Sequence, residues 1–323
     1  MNWMNFFLTV ETPEASAPEQ NLLNLEFSTT EIVLGVLVLL ALCAALFWFI
    51  RKKRQPQRTG KLHPAVIQQI RIGKVHGQGA RSYQQDSFGV SDPEMLKGNG
   101  LLAVVADGMG GLSDGDKIST AVVETVLDGF TYSQGQGTPE QVLLTLTQWA
   151  VREVNRFLGP DHYRSSGSTM AMGMIRDGRF SWVSVGDSRI CLYRGGQLIQ
   201  LNREHDLKQK LALQAINGEI SLQEVYTNKQ KDGLVCFMGM GALDQVDLPS
   251  TPVTLIPGDQ LIIMTDGIYN ALEESEICAA LDKGAEGAPA ELEQAIQKKA
   301  YPDQDNYTAV ILSCETQPAS TGR

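Results

Sequence analysis

The chain has 323 residues, a formal net charge of −10 and an apolar fraction of 43%. The apolar content is enough for a buried core, which argues against a disordered protein, and the acidic balance argues against nucleic-acid binding. The length allows one large domain or two ordinary ones. The five cysteines are isolated, so neither a disulfide framework nor a zinc cluster is indicated, and a reducing compartment is expected.

The first element in chain order is an apolar run without any charge at residues 32–50. As a helix that rises ~1.5 Å per residue, it would be about 28 Å long, close to the hydrocarbon thickness of a bilayer. A buried core helix is the alternative, but core helices normally carry a polar face and this run has none. We therefore predict a transmembrane helix.

The charges on either side of this run predict its orientation. Residues 1–31 contain five glutamates and no lysine or arginine, whereas residues 51–54 read Arg-Lys-Lys-Arg. The positive-inside rule predicts a single-pass protein of the inner (plasma) membrane, with an acidic tail outside and the rest in the cytoplasm. The charge order is the reverse of that in a signal peptide, so the span is expected to be retained. The basic linker at residues 51–67 is either a stop-transfer signal alone or also a contact with anionic lipids of the bilayer.

Residues 68–315 alternate apolar runs with turn signals and are predicted to form one domain, followed by a polar tail at residues 316–323. Two amphipathic helices are predicted, one around Ile118–Val126 and one between Thr138 and Gly159. Hairpins interleaved with long helices favour antiparallel sheets covered by helices over a parallel nucleotide-binding sheet. The clearest strands are 101–106, 180–185 and 261–265, and the clearest tight turns are Asp177-Gly178 and Gly195-Gly196.

Aspartates recur where the predicted strands end or begin. Asp107, Asp187 and Asp266 each follow an apolar strand, and Asp86 and Asp305 each precede one. Carboxylates that converge at the ends of buried strands repel each other unless a divalent cation lies between them. Hard oxygen ligands select Mg²⁺ or Mn²⁺ rather than Zn²⁺. Any one of these residues is equally well a turn former, but five in this arrangement favour a metal centre.

Six motifs follow one another along the chain: GARSYQQD (79–86), VVADGMGG (104–111), SGSTM (166–170), GDSR (186–189), TDGIYN (265–270) and QDNYT (304–308). In this order they closely resemble the protein phosphatase 2C family, the metal-dependent protein phosphatases, in its bacterial form. The similarity covers about residues 70–313. A G-x-x-x-x-G-K-[ST] phosphate loop and an H-E-x-x-H helix are both missing from the sequence, so a P-loop nucleotide site and a zinc-peptidase site find no support.

The resemblance implies an α/β (α+β) fold with two antiparallel β-sheets packed as a sandwich and flanked by helices. It also implies two tightly bound Mn²⁺ or Mg²⁺ ions at one end of the sandwich. Asp107 would bridge the two ions. The rest of the ligand set would be Asp86, the Gly108 carbonyl, Asp266 and Asp305.

Further roles follow from the same resemblance. Asp187, together with Asp266, would hold a third and weaker ion, and Arg81 would bind the substrate phosphate. Metal-activated water would attack phosphorus directly, without a phosphoenzyme. The residues from Gly218 to about Gly239 would form the variable flap of the family.

Three positions depart from the family pattern. Gln85 replaces a glutamate outside the direct ligand set, and little change is expected from it. Met109 replaces a histidine proposed as general acid in animal enzymes, so leaving-group protonation would have to come from water. Asn270 replaces an aspartate, which weakens the expected metal affinity. His205 resembles a family His-Asp pair and is expected to be structural.

Two classes of function are consistent with the sequence. One is an active phosphatase of phosphoserine and phosphothreonine proteins, the substrates of a cognate Ser/Thr kinase. The other is a catalytically weak module on the same fold that binds phosphoproteins or switches regulatory partners. Degenerate members usually lose a metal ligand, and this chain keeps the whole set, so activity is favoured.

Overall fold

The computed structural model describes residues 69–110, 114–134 and 136–315 of the chain. Two antiparallel β-sheets pack face to face in this part, with helices on both outer sides. In the first sheet the strand order is β1 (Gln69–Gly77), β11 (Tyr307–Glu315), β10 (Gln260–Met264), β7 (Arg189–Arg194), β8 (Gln197–Gln200). In the second it is β2 (Asp86–Val90), β3 (Leu101–Gly110), β5 (Met170–Arg176), β6 (Arg179–Val185), β9 (Val253–Thr254), and β4 (Ser166–Ser168) pairs with β3.

The helices fall into an outer layer on each sheet and a pair between β8 and β9. Their bounds are α1 (Gly115–Ser133), α2 (Pro139–Leu158), α3 (Leu207–Ile216), α4 (Leu222–Thr227), α5 (Asp266–Tyr269), α6 (Glu274–Leu281) and α7 (Gly284–Lys299). Two short 3-10 turns lie at Pro93–Lys97 and Pro160–His162.

The apolar core has three layers, one between the two sheets and one between each sheet and its helices. Side chains that alternate between the two faces of each strand contribute to two of these layers. In β3, Val105 packs between the two sheets and Val104 packs against α1 and α2. In β10, Ile263 faces the space between the sheets and Ile262 packs against α6 and α7. Because successive strand residues point to opposite faces, the central strands β3 and β10 are buried on both sides and read as continuous apolar runs.

The predicted sandwich and its main elements are confirmed. The strands predicted at 101–106, 180–185 and 261–265 correspond to β3, β6 and β10, and the two predicted turns join β5 to β6 and β7 to β8. Helix α2 begins with a capping box between Thr138 and Gln141 and ends at Gly159, whose φ is 72°. These are the start and stop signals that the sequence carries.

The structure corrects the prediction that a strand ends at Asp107. Strand β3 continues through Asp107 to Gly110, because it changes partners there. Leu101–Val105 pairs with β5, and Gly108–Gly110 pairs with β4. Asp107 therefore lies within a strand between two ladders, which fixes its backbone more firmly than a turn would.

The predicted transmembrane segment at residues 32–50 lies outside the described residues. Among the residues that the structure describes, no helix combines the length and apolar character needed to cross a bilayer.

Between β8 and β9 the chain leaves the sandwich in the 207–233 excursion, which contains α3 and α4. Its ends meet where Asp206 and Leu234 form an isolated antiparallel bridge and the Leu207 N–H donates to the Gly233 carbonyl at 2.9 Å. The two helices pack chiefly against each other. Every residue of the excursion is described, and Val225 is the single buried one.

Candidate metal centre

A cavity of about 340 Å³ opens at one end of the sandwich, where the strand ends of both sheets meet. Six of the seven site residues predicted from the sequence line it, and the seventh, Asp86, lies behind it, buried. The six are Arg81, Asp107, Gly108, Asp187, Asp266 and Asp305. The 207–233 excursion and its base add Asp232 and Leu234 to the wall.

Asp86 and Asp107 are brought together by the pairing of β2 with β3, in which they stand directly opposite each other. The Asp86 Oδ2 atom accepts hydrogen bonds from Thr265 Oγ1 at 2.9 Å and from Thr308 Oγ1 at 2.7 Å. Its Oδ1 atom is buried and has no hydrogen-bond partner. One oxygen is thus fixed by hydroxyl groups and the other is left with unused acceptor capacity.

Asp266 lies at the start of α5, and its side chain is within hydrogen-bonding reach of that of Asp107. Its Oδ2 atom accepts from Asn270 Nδ2 at 3.1 Å, whereas its buried Oδ1 atom has no partner. Two ionised carboxylates do not remain this close unless a proton or a cation lies between them.

The carboxylate cluster (Asp86, Asp107, Asp187, Asp266 and Asp305) is strained electrostatically. Burial, followed by the neighbouring carboxylates, raises the pKa of Asp107 well above its ordinary value. Burial is also the largest cause that raises the pKa of Asp86 to about 7, that of Asp187 to about 7 and that of Asp266 to about 6. Positive charge close to these carboxylates would stabilise their ionised forms.

These observations fit divalent cations. The cluster offers hard carboxylate oxygens, two of them buried without a partner, and it gains stability from positive charge. Among the described residues, no three acidic, histidine or cysteine side chains stand in the closed arrangement of a finished coordination sphere. The carboxylate oxygens therefore have the chemistry of ligands for divalent cations. Their side chains do not, however, surround a single metal position.

Gly108 is required by close packing. A Cβ atom there would lie 2.1 Å from the Gly115 carbonyl oxygen and 2.6 Å from the Gln85 carbonyl oxygen. The Gly108 N–H donates to that same Gln85 oxygen at 3.0 Å. The backbone beside Asp107 is thus held against two other segments, and any larger residue would push them apart.

Arg81 is held beside the carboxylate cluster by an ion pair. Its Nη2 atom donates to Asp305 Oδ2 at 2.7 Å, and both side chains are partly exposed to the cavity. Asn306 fixes the loop that carries Arg81. It accepts from the Gln85 N–H at 2.8 Å and donates to the Tyr83 carbonyl at 3.0 Å. This anchoring role of Asn306 was not predicted, because its partners lie more than 200 positions away in the sequence.

Asp187 follows β6 in a turn at Gly186, whose φ is 102°. The Tyr269 hydroxyl donates to the Asp187 carbonyl at 3.1 Å, and the Arg189 guanidinium lies 3.6 Å from the centroid of the Tyr269 ring. His205 accepts from the Gly186 N–H at 3.3 Å through Nδ1. His205 therefore holds the turn, as a structural histidine would.

Thr169 links the VVADGMGG motif to the GDSR motif through hydrogen bonds to Asp107 and Ser188. This role of Thr169 was not predicted from the sequence. Its hydroxyl oxygen accepts from the Asp107 N–H at 2.9 Å and lies 2.7 Å from the Ser188 hydroxyl. The Thr169 N–H in turn donates to the Asp107 carbonyl at 2.8 Å. Thr169 belongs to the SGSTM motif, which marked this segment in the sequence. The sequence did not show that its hydroxyl contacts Asp107, which lies 62 positions away.

The departures from the family pattern all lie at the cavity or beside it. Met109 lines the cavity and has no proton to donate. Gln85 also lines it. Asn270 supplies a neutral donor to Asp266 where a second carboxylate would have added negative charge.

Comparison with known proteins identifies the fold and its motifs. The model of the protein phosphatase 2C family matches residues 73–294. The serine/threonine phosphatase stp of Listeria monocytogenes is 26% identical over 238 residues, which is 72% of this chain and 90% of that protein. The protein phosphatase PhpP of Streptococcus pneumoniae is 31% identical over 180 residues, 54% of this chain and 70% of that protein.

Among solved structures, the catalytic domain of the serine/threonine protein phosphatase PstP in complex with two manganese ions has a TM-score of 0.62 and 22% sequence identity. The similarity covers 76% of this chain and 99% of that one. The match of the family model over most of the chain, with its motifs gathered around one cavity, shows that the chain belongs to the protein phosphatase 2C family, the metal-dependent protein serine/threonine phosphatases.

Proposed function

We propose that this chain is a membrane-anchored phosphatase that hydrolyses phosphoserine and phosphothreonine in proteins at a binuclear Mn²⁺ or Mg²⁺ centre. The observation that carries the proposal is the carboxylate cluster, with buried oxygens of Asp86 and Asp266 that have no partner, beside one arginine in one cavity. Carboxylates arranged in this way need cations, and a phosphate group needs both cations and an arginine.

Asp107 would be the ligand that the ions share, since it stands opposite Asp86 and within reach of Asp266. Asp86, Asp266, Asp305 and the Gly108 carbonyl would complete the set. Bound Mn²⁺ or Mg²⁺ would neutralise the phosphate charge and activate the attacking water. The hydroxyl groups of Thr265 and Thr308 keep one oxygen of Asp86 fixed, which orients the other.

Arg81 would clamp the substrate phosphate through its guanidinium fork. It is already aimed at the cluster through Asp305, and it is exposed enough to change partner. A bidentate arginine–phosphate pair is stronger and more directional than a lysine contact. Arg81 therefore positions the phosphorus for in-line attack by water.

Asp187 would hold a third and weaker ion together with Asp266. The negative charge of Asp266 is among the causes that raise the pKa of Asp187, which supports their proximity. Met109 cannot protonate the serine or threonine oxygen that leaves, so this proton would come from water on the Asp187 side of the cavity.

The substrates would be phosphorylated proteins, as the names of the related phosphatases suggest. A cognate Ser/Thr kinase would supply them. We further propose that residues 32–50 span the inner (plasma) membrane once, with residues 1–31 outside. The linker at residues 51–67 and the catalytic domain at residues 68–315 would lie in the cytoplasm. The charge asymmetry around the apolar run supports this topology.

The activity is tested with the full chain in detergent or a bilayer and a phosphothreonine peptide. Hydrolysis is expected with Mn²⁺ or Mg²⁺ and should stop in excess chelator. Full activity after complete removal of divalent cations would overturn the metal mechanism.

The topology is tested with a reporter fused after Arg323. Activity of a cytoplasm-specific reporter is expected, and protease added outside should reach about the first 31 residues. A reporter that is active only outside the cell would refute this orientation.

A further inference from the structure

The 207–233 excursion exposes an apolar surface that the described chain does not cover. Of the ten large apolar side chains exposed among the described residues, four lie here: Leu213 (63% exposed), Ile216 (77%), Leu222 (65%) and Tyr226 (65%). Leu213 and Ile216 are three residues apart on α3, and Leu222 and Tyr226 are four apart on α4, so each pair shares a helix face. Apolar groups concentrated in this way mark a contact surface.

The exposure follows from how the excursion is built. Helix α3 has no buried residue and α4 buries Val225 alone. The helices pack chiefly against each other, and the excursion is attached to the sandwich through its base at Asp206 and Leu234. Two short helices with almost no core of their own are stabilised when something covers their exposed apolar side chains.

The charged residues of the excursion indicate which kind of partner covers its apolar side chains. It carries four lysines against three acidic residues, on a chain whose net charge is −10. Lys231 is paired with Asp232, Glu224 is engaged in the capping box of α4, and the exposed Glu219 accepts a hydrogen bond from Asn217. Lys208, Lys210 and Lys229 remain exposed close to the apolar residues in sequence. Aliphatic and aromatic side chains flanked by lysine are typical of helices that lie in the interface of an anionic bilayer.

We propose that the 207–233 excursion docks on an anionic lipid surface. Leu213, Ile216 and Leu222 would enter the boundary between headgroups and acyl chains, and Tyr226 would lie at headgroup level, where one end of its ring is apolar and the other polar. The lysine stems would lie along the apolar layer with their ammonium groups at the lipid phosphates.

The proposal rests on the membrane anchoring proposed above. Eighteen residues separate Ile50, the end of the apolar run, from Gln69, the first described residue. At most ~3.6 Å per residue, they hold the domain within about 65 Å of the bilayer. Tethering raises the effective concentration of lipid, so that weak interfacial helices suffice for docking. An acidic phosphoprotein offers the same charge but not this permanent proximity.

Docking would act on the catalytic cavity directly. Asp232, at the end of the excursion, and Leu234, at its base, line the same cavity as Asp107 and Arg81. A lipid-bound excursion would fix this wall of the cavity close to the membrane surface. Substrates at the bilayer would then be favoured over freely diffusing ones.

Amide hydrogen exchange of the full chain, reconstituted in nanodiscs, tests the proposal. Amides in the 207–233 excursion should exchange more slowly with anionic headgroups than with zwitterionic ones, and the difference should shrink at high salt. Each lysine near an anionic surface is worth about a fivefold shift in the docking equilibrium, so K208E/K210E should abolish the protection.

Matched variants separate surface contact from folding. L213S/I216S and Y226S should each lose the protection. Y132S should keep it, because Tyr132 is 85% exposed at the end of α1, outside the excursion. All of these positions are exposed and away from the carboxylate cluster, so hydrolysis of a small phosphate ester should persist in every variant.

The outcomes distinguish docking from anchoring. Co-flotation of the full chain with vesicles and equal exchange in anionic and zwitterionic discs would overturn docking while leaving the anchor intact. If the full chain does not float with vesicles, the membrane anchor is overturned. Amide exchange measured with added anionic vesicles would then still show whether the 207–233 excursion binds lipid. Protection that appears only with an acidic phosphoprotein, or only at high protein concentration, would assign the surface to a protein partner or a second copy and overturn the lipid proposal.

Discussion

The cavity beside the carboxylate cluster has two kinds of wall. The carboxylate cluster stands on strands and turns packed between apolar layers, where Leu101, Val105 and Ile263 are fully buried. The opposite wall comes from the 207–233 excursion and its base, and the excursion buries one side chain. Groups that must hold cations and phosphorus in place need a rigid support, whereas a surface that selects partners must be free to change.

The largest effect is expected from D107N. This substitution removes the negative charge of the carboxylate that lies between Asp86 and Asp266. The rate of hydrolysis should fall by roughly a thousandfold, because transition-state charge stabilisation worth several kcal/mol is lost. Steady-state kinetics and metal titration measure the loss, and circular dichroism should show an unchanged fold.

The control for D107N is D232N, which removes a charge from the other wall of the same cavity. Its rate should change only a few fold, because Asp232 is exposed and paired with Lys231. Equal losses in the two variants would contradict the division of the cavity into a chemical wall and an adaptable one.

Arg81 is expected to give the next largest effect. R81A should raise KM for phosphopeptides about 10- to 100-fold, since a hydrogen-bonded charge pair is lost. R81K should recover only part of this, because lysine lacks the planar fork. An unchanged KM in both variants would show that Arg81 serves Asp305 and not the substrate.

A smaller effect is expected at Asp187 and its support. D187A should leave the tight metal-binding events in place, remove one weak event from the calorimetric titration and lower kcat. Y269F removes only the hydroxyl that holds the Asp187 carbonyl, so it should shift the same weak event by a few fold. Wild-type kcat in D187A, with the weak event still present, would assign Asp187 to the turn alone.

The smallest predicted effect is a pH dependence of stability. Burial raises the folded-state pKa of Asp86 to about 7 and that of Asp266 to about 6, above the value of an unfolded chain. The folded protein then binds these protons more tightly, so the metal-free protein should lose stability as the pH rises through about 6 to 7. Bound Mn²⁺ replaces the protons and should reverse the trend.

Thermal unfolding at pH 5.5 and pH 8, with chelator and with Mn²⁺, measures this dependence. The melting temperature should fall by a few degrees between the two values with chelator. The fall should be weaker in D86N, which lacks one of the titrating groups. A chelated protein that is more stable at pH 8 would contradict the prediction.

The two walls also differ in how far the sequence predicted them. The sandwich, the aspartates and Arg81 were visible because apolar runs, Asp-Gly turns and motif order are local signals. The partners of Asp86 were not, since Thr265 and Thr308 lie 179 and 222 positions away from it. The continuation of β3 past Asp107 depends on pairing with Ser166–Ser168, which no local pattern reveals.

The excursion was predicted only in part, because the resemblance implied a variable flap from Gly218 to about Gly239 but not the exposed helix at Leu207–Ile216. Periodic apolar residues such as Leu213 and Ile216 normally indicate a buried face, but here the face is exposed. Sequence periodicity reports that a helix has an apolar side and says nothing about whether its own chain covers it.

The facing of Asp86 and Asp107 across β2 and β3 has a consequence for how this protein can evolve. Strand side chains alternate between faces, so a slip of one residue would send Asp86 to the side of the sheet opposite Asp107. Residues inserted near the Pro93–Lys97 turn leave this register alone. A single residue inserted within Asp86–Val90 destroys it. Sequence length is therefore free to vary in the connection and fixed in the strand, and the two carboxylates face each other only when the sheet has paired in this register.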